Sequence, residues 1–413
     1  MLDKELGAPA TGTGVLVAEK ADGAAGATPK PSRRGPLASL GSVVLRTERN
    51  PWAPRAALVL FAVALFVWPN VVGDPTRVRQ WAEYLCYAIV AVGIDIAWGY
   101  GGLLVLGQGV FFGLGAYAMG MYLTLEQVKG DKLPAFMSLY GNFQELPLIW
   151  RPFRYFWFAA PAAILLPVIL ATLLGWLVFK RRVRGPYFAI LTQATSLVFW
   201  LLVIGQLQLT AGTNGLTNFV TVFGRSKYSP DTIRIMYTVC AIGLLVAIVI
   251  GRQLVRSRFG RLLVATRDSE DRVRFLGYDP AVVKTVAFAV AAGMAGLAGA
   301  FSAPVLGIVA PNQFAVLPSI LFVCAVAVGG RGALWGAVVG ALLVYWGRTT
   351  FSEVSPERWL YVQGLLFVIV LGFARGGIVG GVRWCRGRLI ASSGGDYEDT
   401  PRAVAEQAME APA

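Results

Sequence analysis

The chain has 413 residues, 56% of them hydrophobic and 15% charged, with a mean hydropathy of +0.61. An ordinary soluble domain is about 45–50% apolar and about 25% charged, so the composition excludes a soluble globular protein and points to an integral membrane protein. Histidine is absent, which removes a histidine base, a proton shuttle or an H-E-x-x-H zinc motif from consideration.

The first 50 residues are small, polar and scattered with charge, without periodicity. They cannot bury enough apolar surface to order themselves, and we read residues 1–50 as a disordered cytoplasmic tail. The next run starts too late to be a cleaved leader and reads as a first spanning helix. From there the chain is all-α in expectation, because its apolar runs are continuous and do not alternate. Helices are expected near 56–72, 81–98, 109–125, 156–179, 187–204, 233–251 and 286–303, followed by two shorter segments within 317–346 and a last one at 359–373. That is a polytopic membrane domain over 51–390 with roughly 8–10 transmembrane or half-membrane helices, some broken or re-entrant. Residues 391–413 are again polar and read as a second disordered tail.

The net charge of +14 does not indicate nucleic acid. Its basic residues gather in the N-terminal tail, in "KRRVR" at 180–184, in the loop 252–284 and in "RWCRGR" at 383–388. Those are the stretches that the positive-inside rule makes cytoplasmic, with both termini on that side. The helix count above satisfies that parity. Cys86, Cys240, Cys324 and Cys385 are separated in sequence and mostly within membrane runs, so they read as small hydrophobes and not as metal ligands. No Gly-Lys dipeptide occurs, so the chain has no P-loop.

In chain order, the first polar feature is "IDIAWGYGGLLVLGQGVFFGLGAYAMGMYL", residues 94–123. Gly99, Gly101 and Gly102 beside an aromatic break a helix, and broken backbone at membrane depth survives only against protein or a watery cavity. Residues 98–108 therefore read as a break lining a transport path. Asp95 lies one turn before it; a carboxylate in a membrane helix is a functional candidate by default, and its alternatives are capping freed backbone amides, touching solute, or coupling protons. Gln108 offers a donor and an acceptor at the far side of the break. Gly109 with Gly113, and Gly332 with Gly336 and Gly340, read as close helix-packing faces.

A second polar island, "LTAGTNGLTNF", follows the helix that carries Thr192 and Gln193. Thr213 and Asn214 suit a vestibule for a neutral polar solute, and equally an ordinary turn. The third feature is the loop 252–284, where Leu262, Ala265, Ser269, Val273 and Leu276 recur at helical spacing. Arg267, Asp268, Glu270, Asp271, Arg272 and Arg274 take the other side, giving a short amphipathic helix that is either a solvated connector or a docking element. Gly277 is expected to end it, and Asp279-Pro280 to cap the next helix.

"GYGGLLVLGQGVFFGLGAYAMG", "RGPYFAILTQATSL", "GTNGLT", "GRLLVATRDSEDRVRFLGYDPAVVKTVAFAVAAGMAGLAGA" and "AVGGRGALWGAVVGALL" occur in that order. They resemble the permease subunits of branched-chain amino acid ABC importers over about residues 56–382, and within that family the urea permeases of the larger subunit type. "DIAWGY", "YAMGMYL", "ATRDSEDRVRF", "VLPSILF" and "ERWLYVQG" carry the finer likeness. The long N-terminal tail and Gly101, where a small polar residue is more usual, depart from the pattern.

The resemblance implies a bacterial inner-membrane importer. A second permease chain completes the pathway, two cytoplasmic ATPases drive it, and an extracytoplasmic binding protein delivers solute. The segment 261–277 is then the coupling helix resting on an ATPase. No cofactor is expected on this chain, because the nucleotide belongs to its partners. Urea would be matched by Gln108, Gln193, Thr213 and Asn214; a branched-chain amino acid or a short amide is the alternative cargo. Rivals outside the family are a secondary transporter or channel using Asp95 as its ion site, and a membrane enzyme, for which no clustered acid, base or metal ligands are present.

Overall fold

The computed structural model describes residues 53–354 except 129–132, 141–144, 184 and 218, together with scattered positions between 361 and 385. The expected tails at 1–50 and 391–413, the segment 359–373 and the basic run 383–388 lie wholly or largely outside the described residues.

The chain enters with α1 (Ala53–Val72) and turns through Gly73, whose φ of +67° favours glycine. Then α2 (Pro75–Ile94) begins six residues before the apolar run suggests, because Asp74 and Pro75 make a strong start. The Asp74 carboxylate accepts the Thr76 amide at 3.0 Å and proline takes the first turn. Without a gap, α2 widens into a π-helical turn, Asp95–Tyr100. After a returning loop come α3 (Gln108–Gln127) and the short α4 (Ala135–Tyr140). The long helices α5 (Phe156–Lys180) and α6 (Pro186–Gly205) follow. A brief α7 (Leu207–Thr210) and a hairpin of β1 (Thr221–Val222) and β2 (Arg225–Ser226) lead to α8 (Pro230–Arg256). Two short helices, α9 (Arg258–Asp268) and α10 (Glu270–Phe275), precede α11 (Pro280–Leu306). A 3-10 turn at Pro311–Phe314 then returns the chain into α12 (Val316–Gly329), and α13 is Leu334–Val354.

Among the described residues, five helical stretches are long and apolar enough to cross a membrane: Pro75–Tyr100, Phe156–Lys180, Pro186–Gly205, Pro230–Arg256 and Pro280–Leu306. The fold is all-α and polytopic, as expected. Two shorter apolar stretches, Leu58–Val72 and Val316–Gly329, accompany them. The stretch 317–346 divides where glycines predict it to: α12 has only 14 residues and stops at Gly330, whose φ is +110°.

Helix α11 is the centre of the bundle and packs against α5, α3 and α2. Its small residues make that crowding possible. A Cβ at Gly299 would sit on the Phe112 carbonyl of α3, one at Gly115 on the Gly296 carbonyl, and one at Gly296 on the Ala163 carbonyl of α5. In lipid, where apolar burial does not drive helix association, such close backbone approach supplies dispersion contacts instead. Large aromatics close the remaining space, with Phe111 edge-on to Phe288 and Tyr87 stacked on Tyr345.

The glycine faces partly match their sequence reading. Gly109 and Gly113 lie on one side of α3 and meet the 3-10 turn at Gln313 and the Phe314 ring; Gly109 also meets α12, where its amide donates to Ser319 Oγ at 2.9 Å. Gly336 and Gly340 pack on α12 at Gly329 and Ala325. Gly332 does not belong to that face: it lies before α13, in the loop, with φ +74°. Cys86 and Cys240, distant in sequence, meet with their sulfurs 3.5 Å apart, buried between α2 and α8 as free thiols.

Candidate functional site

The π-helical turn is the first irregular backbone in the bundle, and its hydrogen bonds define it. The Gly101 amide reaches back five residues to Ile96 at 3.2 Å, and Leu103 reaches Ala97 at 2.9 Å. A widened turn of this kind leaves carbonyls and amides that the α ladder no longer pairs, so each needs another partner.

Three glycines let three different partners in. At Gly99 a Cβ would strike the Asp95 carboxylate and the Gly332 amide; at Gly101 it would meet the Ala97 carbonyl at 2.6 Å and the Leu263 side chain at 3.1 Å; at Gly102 it would meet Arg267 Cγ at 2.7 Å. These glycines admit close contact; they do not simply loosen the chain. Gly102 also requires φ +69°.

Asp95 is fully buried, and its Oδ1 accepts the Gly332 amide at 2.7 Å. Oδ1 thus caps a backbone amide, but that amide belongs to the loop between α12 and α13, and Oδ2 has no hydrogen-bond partner among the described residues. The two breaks legible in the sequence, 98–102 and 329–332, are one site in space. Arg331 reinforces the meeting, its guanidinium carbon 4.9 Å above the Trp98 ring. From the opposite side, Arg267 Nη1 donates to the Gly99 carbonyl at 2.8 Å. An orphaned buried carbonyl costs about 1–3 kcal/mol, so this bond stabilises the widened turn.

Gln108 opens α3 in the middle of the bundle, fully buried, with Nε2 donating to the Ala291 carbonyl of α11 at 2.8 Å. Its Oε1 has no hydrogen-bond partner among the described residues. Gln193 is half-buried on α6 beside Thr192, whose Oγ1 accepts the Leu106 amide at 3.2 Å. Helix α6 therefore braces the loop that returns to Gln108.

Thr213 and Asn214 are not brought to this site. They form an exposed 3-10 turn after Ala211, near the Leu216–Val309 bridge that joins this turn to the far end of α11. Asn214 instead lines a separate pocket of about 340 Å³ with Thr124, Gln127 and Thr217. Gln127 Nε2 is a buried donor without a partner among the described residues. No described residue lining that pocket is ionisable.

The segment 258–276 is two helices and not the single one its periodicity suggests. Ser269 is extended, at φ −156° and ψ 99°, and restarts the chain as α10 with Glu270 and Asp271 in the first turn, where the helix dipole favours acids. The restart lets Glu270 turn inward to pair with Lys284 of α11; these side chains are only 13% and 12% exposed. Leu263 and Val273 are buried. Asp268, Asp271 and Arg272 face outward, and Arg274 bridges to Glu270 and Asp271. Gly277 (φ +86°) ends the segment, and Asp279 caps α11 by accepting the Ala281 amide at 2.9 Å.

Sequence reasoning missed the apolar knuckle that ends this segment. Phe275 is 92% exposed and Leu276 75%, with Tyr278 also exposed. Phe275 lies off the helical stripe, and its position just before Gly277 is the only sequence signal for it. An exposed apolar patch rimmed by polar residues is the kind of surface that protein partners cover.

A polytopic helical bundle in which two helix breaks meet, with a charged, aromatic-tipped segment at one end, suits a transport permease. The chain belongs to the family described as branched-chain amino acid transport system / permease component, which matches residues 82–371. It is similar to the high-affinity branched-chain amino acid transport system permease protein LivM of Escherichia coli K12, at 28% identity over 76% of this chain and 73% of that protein. The LivM of Salmonella typhimurium LT2 is likewise 28% identical over 76% of this chain and 72% of its own length. The autoinducer 2 import system permease protein LsrC of Escherichia coli O9:H4 is 32% identical over 34% of this chain and 44% of its own. No solved structure matches. The chain is accordingly a multi-pass permease component of an ABC import system, a class whose members generally work with other permease, ATPase and binding-protein subunits.

Proposed function

We propose that this permease carries urea inward across a bacterial inner membrane, paired with a second permease chain and driven by two cytoplasmic ATPases. An extracytoplasmic binding protein loads it, both termini face the cytoplasm, and the ATP is bound by the ATPases. The family resemblance of "DIAWGY", "ATRDSEDRVRF" and "ERWLYVQG" favours urea within the family. The observation that carries the reading is the pocket formed by Thr124, Gln127, Asn214 and Thr217, at the end of the bundle away from the docking segment. Its described lining offers the Thr124, Asn214 and Thr217 side chains for hydrogen bonds and no ionisable group. A neutral solute with one carbonyl and two amino groups needs that pattern. Among the described lining residues, a zwitterionic amino acid would find no fixed counter-charge for the hydration lost at its charged ends.

A branched-chain amino acid is the second reading, favoured by the similarity to LivM over three quarters of the chain. Competition settles the choice. In proteoliposomes holding the assembled importer, ATP-driven uptake of labelled urea is expected to be suppressed by excess unlabelled urea or acetamide and untouched by excess leucine. The variant Asn214→Leu is expected to lower urea uptake about tenfold, since one lost hydrogen bond to the solute is worth about 1–2 kcal/mol. Suppression by leucine but not by acetamide would transfer the assignment to an amino acid.

A further inference from the structure

We infer that Arg267 is the positioning residue that ties the docking segment to the broken helix, acting on the membrane core and not on the ATPase surface. The inference rests on the importer reading for its consequence, but the contact itself does not depend on it.

The outward charges of the segment and Arg267 behave differently. Asp268, Asp271 and Arg272 present themselves to solvent, and the Arg267 side chain is itself 40% exposed, so its reach and not its burial sets it apart. Arg267 lies last but one in α9, and its guanidinium reaches back to the Gly99 carbonyl at 2.8 Å while Nε pairs with Asp268 at 2.9 Å. No backbone amide among the described hydrogen bonds serves that carbonyl. The space for the side chain is cut by Gly102, where any Cβ would meet Arg267 Cγ. One turn earlier on the same helix, buried Leu263 packs where Gly101 has no side chain. Helix α9 is thus seated on the widened turn by one charged and one apolar contact.

The opposite face of the same turn is held by Asp95, whose carboxylate binds the Gly332 amide, and by Trp98 beneath Arg331. Gly99 sits between the two sets: its carbonyl faces Arg267 and its missing side chain faces Asp95 and Gly332. Displacing α9 therefore orphans a buried carbonyl in the turn that Asp95 clamps to the α12–α13 loop. Such an element has two discrete arrangements, bonded or released, and a motion of the docking segment selects between them. Arg267 converts a shift at the surface into a change at the place where the two broken helices meet.

The test uses Arg267→Ala and Arg267→Lys, with Arg272→Ala as a surface control. Hydrogen exchange at the amides of residues 101–103, measured on the chain alone in nanodiscs, is expected to rise at least about 10-fold in Arg267→Ala and less in Arg267→Lys, with no change in Arg272→Ala. In the assembled importer, Arg267→Ala is expected to retain its ATPases and hydrolyse ATP, while solute moved per ATP falls at least about 10-fold. Partial recovery of that ratio in Arg267→Lys is expected from the donor that the substitution keeps; no recovery there, with exchange at 101–103 left at its wild-type rate, would count against the contact. Unaltered exchange at 101–103 in Arg267→Ala overturns the inference. So does loss of the ATPases on purification, which would place Arg267 on the docking surface. If the wild-type chain itself retains no ATPase, the importer reading has failed, and the exchange experiment still decides the Arg267 contact.

Discussion

The variant Asp271→Lys/Phe275→Ala is expected to be made, inserted and folded normally, and to lose both ATPase retention and uptake. Both side chains face outward: Asp271 is exposed and Phe275 is 92% so. Asp268 is spared because it pairs with Arg267 at 2.9 Å, and reversing it would disturb the Gly99 contact as well as the surface. Truncating an aromatic anchor at the centre of an interface costs about 1–4 kcal/mol. The charge reversal adds repulsion against whatever basic groups meet the acid. Their sum weakens docking by about two orders of magnitude or more. Insertion is spared on the proposed topology, because added positive charge in a loop that faces the cytoplasm agrees with the positive-inside rule. Glu270, though part of the same acidic run, is left out on purpose. It pairs with Lys284 at 13% exposure, and reversing it would leave two cations face to face in a nearly buried site, so a loss of function would report folding instead of docking. Retention of the ATPases on purification with ordinary ATP-driven uptake would reduce the segment to a solvated connector.

At Asp95 the structure separates two substitutions of similar size. Asn keeps an oxygen that can accept the Gly332 amide in place of Oδ1, and uptake above about half the wild-type rate is expected from Asp95→Asn. Leu offers no acceptor. It strands the Gly332 amide inside the bundle and presses apolar atoms on the space that Gly99 leaves for the carboxylate. Asp95→Leu is therefore expected to lower thermal stability by several degrees and to abolish uptake, because an unsatisfied buried amide costs about 1–3 kcal/mol and overpacking adds about 1–3 more. Thermal unfolding in detergent with uptake measured in parallel checks both. An Asp95→Asn protein that is as stable as wild type yet as inactive as Asp95→Leu would show that the negative charge itself takes part in transport.

Much of this was legible in sequence because membrane helices announce themselves by run length, and breaks by glycine. The segments from 56 to 346, the division of 317–346 and the Gly277–Asp279–Pro280 transition all follow from local chemistry. What failed was whatever depends on a neighbour distant in the chain. Asp95 was readable as a cap, but that it caps Gly332, 237 residues away, is a property of packing. Arg267 and Phe275 share the same difficulty. In a short segment with charges on both flanks, periodicity assigns sides relative to the helix axis and cannot say which side the membrane domain occupies. The extended Ser269 then rotates α10 against α9, so one stripe drawn through Leu262, Val273 and Leu276 joins a buried residue to an exposed one. Gly332 misled for a related reason: its spacing from Gly336 and Gly340 matches a helix that begins only at Leu334.

On the proposed mechanism, this chain conducts solute only when partner ATPases move the segment 258–276. The direct measurement is labelled urea uptake into proteoliposomes containing this chain alone, the chain with its second permease, and the full assembly with binding protein and ATPases, each with and without ATP inside. Uptake confined to the full assembly with ATP is the predicted result; saturable uptake by this chain alone, indifferent to ATP, would contradict it and make the protein a channel or secondary transporter.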